Sequence, residues 1–105
     1  MSKYHKVARV DQVRPGEMKP CEAGGRRVAL CNADGQLFAV GDACTHAGAR
    51  LSEGWLYDGR IECALHGALF DAATGAVLAP PANASVPTYG VKVEGEDIYV
   101  ALPSE

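Results

Sequence analysis

The chain has 105 residues, 48% of them hydrophobic and 22% charged, with a formal net charge of −3 at pH 7. That length suits one domain, residues 1–105, with a single hydrophobic core and no room for a separate catalytic domain. The acidic balance excludes the basic footprint of non-specific nucleic-acid binding, and no stretch approaches the ~18 uninterrupted apolar residues of a membrane span, so the expected partners are proteins or small molecules.

The opening "MSKYHKVARV" lacks the apolar core of a secretory signal, and the expected location is cytoplasmic. His5 stands far from every other candidate ligand and reads as a surface residue. Turn signals then recur at "RPGE" 14–17, "AGGR" 23–26, "NADGQ" 32–36, "YDGR" 57–60, "ATGA" 73–76 and "VEGED" 93–97. Short runs of β-type residues lie between them. "RRVAL" and "QLFAV" flank Asp34-Gly35, "GWLY" and "RIEC" flank Asp58-Gly59, and "YGVKV" and "DIYVAL" flank Gly95, each a hairpin signal with a glycine able to take positive φ. No long segment keeps a 3.6-residue apolar period, so the chain reads as all-β and mostly antiparallel.

Within this pattern the segment of about 42–70 stands apart as a small insertion in a larger β-sandwich or barrel. It carries Cys44-x-His46 and Cys63-x-x-His66, with sixteen residues between the pairs. Trp55 and Tyr57 are expected to pack between its hairpin and the body. The following "VLAPPANASVP" at 77–87 holds three of the six prolines and reads as a stiff loop, because proline offers no ladder hydrogen bond. Cys21 and Cys31 follow no ligand spacing and are expected to be reduced, partly buried thiols.

A Cys/His pair serves as nucleophile with base, as zinc ligands or as iron-sulfur ligands. Nucleophilic catalysis needs one activated cysteine and one base, so a duplicated pair exceeds its requirement. Zinc fingers usually gather both cysteines on one knuckle and both histidines on a helix, whereas here each loop offers one of each. A [2Fe-2S] cluster with both cysteines on one iron and both histidines on the other accounts better for that symmetry. A zinc-stapled structural or interaction module stays as the alternative.

The two boxes "CTH" and "CALHG" resemble those of Rieske proteins, and "CTHAGARLSEG" with "CALHGALFD" is similar to the soluble Rieske-type ferredoxins of aromatic-ring dioxygenase systems. The similarity extends through the proline loop to "VPTYGVKVEGEDIYVAL". It implies a Rieske-type antiparallel β-sandwich or barrel with the cluster-binding subdomain inserted at about 42–70, and one [2Fe-2S] cluster. Cys44 and Cys63 would bind the buried iron and His46 and His66 the outer one, with Pro80 and Pro81 in the loop covering the cluster.

The same resemblance implies a carrier that takes one electron from a flavin-containing reductase and passes it to a terminal oxygenase, and that is no enzyme by itself. An oxygenase would further need two histidines and a carboxylate for a mononuclear iron, and only His5 is left. High-potential Rieske proteins carry Ser and Tyr donors at the places of Ala68 and Phe70, and a disulfide at those of Ala49 and Leu65. Their absence predicts a potential near the low end of the Rieske range, about −150 mV, and disfavours a membrane respiratory subunit. A small subunit of nitrite reductase type shares the fold but often lacks the ligands. Asp42, Glu53, Asp58, Glu62 and Asp71 are candidate steering charges for a basic partner, and a monomer suits a transient shuttle.

Overall fold

The computed structural model describes residues 2–43, 50–64, 67–80 and 84–103. Ten strands are formed among them: β1 (Ser2–Arg9), β2 (Met18–Ala23), β3 (Arg26–Ala33), β4 (Gln36–Gly41), β5 (Trp55–Tyr57), β6 (Arg60–Glu62), β7 (Leu69–Asp71), β8 (Val77–Ala79), β9 (Thr88–Glu94) and β10 (Asp97–Pro103). The described helical structure is limited to two three-residue 3₁₀ turns, Val10–Gln12 and Leu51–Glu53. The fold is the all-β one expected.

The three expected hairpins are formed, each by local chemistry. Asp34 and Gly35 take φ of 55° and 95°, and Asp58 and Gly59 take 53° and 71°. Two consecutive positive-φ residues make the turn whose twist matches that of the flanking strands. Gly95, at φ 62°, opens the two-residue turn between β9 and β10.

All the pairings are antiparallel, in a six-stranded sheet ordered β1-β10-β9-β4-β3-β2 and a four-stranded sheet ordered β5-β6-β7-β8. The larger sheet curls until its edge strands β1 and β2 touch, giving a nearly closed barrel. The smaller sheet is inserted between β4 and β9, which are neighbours in the barrel wall.

Two cores result, and β3 and β4 divide them. Leu30 and Ala39 face the barrel interior with Ala8, Val13, Ile98, Val100 and Leu102. Ala29, Cys31 and Val40 face the small sheet, against Leu51, Ile61, Cys63, Ala68, Phe70 and Val86. A wall buried on both faces explains why "RRVAL" and "QLFAV" show little polar alternation.

In the small sheet the cross-strand row Leu56, Ile61, Phe70 and Val77 faces this second core. Trp55 and Tyr57 therefore point away, 56% and 44% exposed, which corrects the expectation that they pack between hairpin and body. Period-two alternation allows only Leu56 of that strand to face inward. The 77–87 segment also differs from a plain loop: Val77–Ala79 form an edge strand, and the prolines start after it, at position 80, where no ladder hydrogen bond is lost.

Candidate metal centre

Cys63 follows Ile61 by two residues and so keeps the inward face, with no solvent exposure. Its N–H donates to the Ala68 carbonyl at 2.8 Å, and its carbonyl accepts the Gly67 N–H at 3.1 Å. These bonds close the base of the second loop, and Gly67 supplies the positive φ, 74°, that the return requires. Cys44, His46 and His66 lie outside the described residues, as do Ala49, Leu65 and Pro81. Among the described residues no three metal-ligating side chains are gathered into a site.

The first loop, 44–49, is bounded by a tied stem. Ala43 and Arg50 form an antiparallel bridge, and the Leu51 N–H donates to the Asp42 carbonyl at 2.8 Å. The Asp42 carboxylate accepts the Ser52 N–H at 2.7 Å and the Ser52 hydroxyl at 2.8 Å. At 2% exposure Asp42 is no surface charge, so the steering role considered for it is corrected: burial is sustained by these hydrogen bonds. Glu53 and Asp58 are exposed, whereas Glu62 is half-buried and accepts the Tyr57 hydroxyl at 2.8 Å. Half-buried Asp71 accepts the Ala73 N–H at 2.9 Å.

Gly54 brings the two stems together. A Cβ there would overlap the Glu62 carbonyl oxygen and stand 3.2 Å from the Ala64 nitrogen, so the chain leaving the first loop presses on both flanks of Cys63. The proline segment is tied to the same region. The Val86 N–H donates to the Gly75 carbonyl at 2.9 Å, and the Gly41 N–H to the Pro87 carbonyl at 2.9 Å, one residue before Asp42. Pro80 is exposed just after β8. Gly54, Gly75 and Asp42 escape sequence reasoning as organisers of the site; "LSEG" and "ATGA" mark turns, but nothing local shows which backbone will press against them.

The donor chemistry fits an iron-sulfur cluster. Cys63 sits in an apolar setting with Ala68 and Phe70, both fully buried, which suits a thiolate-bound soft site better than a hard cation. Cys31 is a poor ligand candidate: burial first, and the Asp42 charge second, push its thiol up to about 12. Cys21 is half-buried and its thiol is likewise raised, chiefly by desolvation. Both stay protonated at neutral pH, unlike a metal-binding thiolate. His5 is half-buried rather than a free surface residue, its ring lying against Gly24.

The family profile described as "Rieske [2Fe-2S] domain" matches residues 3–90, and the chain belongs to that family, with one Rieske-type [2Fe-2S] cluster as its cofactor. Within it, the chain is similar to the ferredoxin component of biphenyl 2,3-dioxygenase from Rhodococcus jostii strain RHA1, at 42% identity over 97 residues, 92% of this chain and 91% of that protein. A solved complex of reduced oxygenase and oxidized ferredoxin in carbazole 1,9a-dioxygenase matches with a TM-score of 0.86 and 32% identity, over 93% of this chain and 92% of the other. The small subunit of an NADH-dependent nitrite reductase from Mycobacterium tuberculosis has a TM-score of 0.90 but 26% identity, covering 100% of this chain and 99% of the other. Backbone shape is thus common to both kinds of protein, and the higher sequence identity is to the ferredoxins. Among the described residues no helix is long and apolar enough to cross a membrane.

Proposed function

We infer that this chain is the ferredoxin component of an aromatic-ring dioxygenase system, an electron carrier that catalyses no reaction by itself. The observation that carries the reading is 42% identity to such a component along nine-tenths of both chains. A nitrite reductase subunit is the weaker reading because its likeness is in backbone more than in sequence.

We further propose that Cys44, His46, Cys63 and His66 hold the cluster, the cysteines on the inner iron and the histidines on the outer one. Bound there, the cluster supplies one-electron redox chemistry at a potential that imidazole ligation raises above that of four-thiolate ferredoxins. Cys63 provides its thiolate from a dry interior, while the histidine tip is the face a partner approaches. Ala68 and Phe70, buried at the base of the second loop, have no side-chain donor to stabilise added negative charge. The resulting potential is near the low limit, about −150 mV.

The domain is single, residues 1–105, with the cluster-binding subdomain at about 42–70 and β7 and β8 completing the sheet that supports it. The donor is a flavin-containing reductase and the acceptor a terminal oxygenase. The carrier works as a cytoplasmic monomer, apart from nucleic acid and membrane. Iron and acid-labile sulfide analysis, with EPR of the reduced protein, tests this reading: two irons and two sulfides per chain are expected. One zinc without sulfide, or the EPR spectrum of a four-cysteine cluster, would refute it. Cys44→Ala and His66→Ala are expected to abolish cluster binding.

A further inference from the structure

We propose that Asp42 is the positioning residue for the stem of the first ligand loop, tying the chain before that loop to Ser52 after it and so fixing the stem against the backbone that leads into Cys63. This role rests on the proposed ligand set. Asp42 precedes the loop and Ser52 follows it, and the carboxylate receives both the backbone N–H and the hydroxyl of Ser52, at 2.7 and 2.8 Å. A 2%-exposed carboxylate at a site bordered by fully buried Leu51 is an expensive way to fill space, since an apolar side chain would avoid the desolvation. What the carboxylate adds is a rigid path. Asp42 fixes Ser52, two residues later Gly54 seats on the Glu62 backbone, and Glu62 leads directly into Cys63. Without the clamp the stem keeps the Ala43–Arg50 bridge and the Leu51 bond but loses its side-chain tie to Ser52.

The test compares native holoprotein with Asp42→Ala, Asp42→Asn, Ser52→Ala and Val100→Ala. Val100 lies fully buried in the barrel core, in a cluster separate from that of Cys63, so truncating it should destabilise the fold away from the stem. Cluster loss to excess chelator is followed by bleaching, with EPR g-values of the reduced proteins alongside. Asp42→Ala is expected to lose its cluster about 10- to 100-fold faster, the loss for one or two hydrogen bonds to a charged group, and to shift the g-values. Asp42→Asn can accept from the Ser52 N–H and donate to its hydroxyl, and should restore both readouts. Val100→Ala should lower the urea midpoint and leave both unchanged. Equal rates for native and Asp42→Ala, or equal acceleration by Val100→Ala, would overturn the role. If Asp42→Ala yields no folded protein, Ser52→Ala decides: accelerated loss supports the clamp and the native rate overturns it. Native protein without iron and sulfide would overturn the ligand set and this role together, whereas equal rates from a loaded native protein overturn the role alone.

Discussion

The two sheets are held together in different ways. Strands of the larger sheet run six to eight residues, joined by tight turns around an interior of their own. Every strand of the smaller sheet has three residues, too few for independent stability, and its core is completed by the outer face of β3 and β4. A barrel wall that is buried on both faces thus supports the small sheet as a platform. Its loops are defined at their bases, by Asp42, Gly54 and Gly67.

Phe70→Ala probes the core shared by wall and platform most directly. Deleting the largest fully buried side chain should cost about 3–5 kcal/mol, seen in urea unfolding. Because the platform shares its core with the wall, a single transition should shift as a whole. Two separated transitions would show that the small sheet melts by itself.

Gly54→Ala comes next, at about 1–3 kcal/mol, the usual cost of overpacking. Its larger consequence should be at the site: iron per chain falls well below native, since the added methyl separates the two stems. Gly59→Ala, at the far end of the same hairpin with φ 71° and open space, should cost about 1 kcal/mol and keep native iron. Equal iron in both variants would deny Gly54 any special part.

Alkaline pH distinguishes the wall from the platform more gently. The folded Cys31 thiol is raised to about 12 from 9.0, so above pH 9 the unfolded chain ionises first and binds fewer protons. Stability contributed by the protonated thiol is whole below about pH 9 and falls as pH rises towards 12, with a slope of up to about 1.4 kcal/mol per pH unit. Urea midpoints between pH 8 and 10.5 should fall less steeply in Cys31→Ala. The smallest effect belongs to the exposed edge: the Glu62 carboxylate accepting its hydroxyl raises the Tyr57 phenol, and Glu62→Gln should bring forward one phenol in an ultraviolet titration.

Much of the fold is legible because its determinants are local. Asp34-Gly35 and Asp58-Gly59 specify their turns through the conformations those residues tolerate, and the strands beside them follow. The Cys/His pairs proposed as ligands are visible as spacings too, since Cys44-x-His46 and Cys63-x-x-His66 are patterns within a few residues. What could not be read is orientation. Trp55 and Tyr57 are large and aromatic, yet the alternation that buries Leu56 turns them outward. Asp42 looks like any acid near a turn until Ser52, ten residues on, folds back to cover it.

Sequence alone therefore determined an all-β chain, its three main hairpins and the likeness of its two boxes to Rieske ligands, because turns and short motifs depend on neighbours a few bonds away. Only the tertiary structure decided that Gly54 must lack a side chain, that Asp42 is buried, and that β3 and β4 serve two cores. Each of those outcomes is set by contacts between segments that meet only after the sheets have closed.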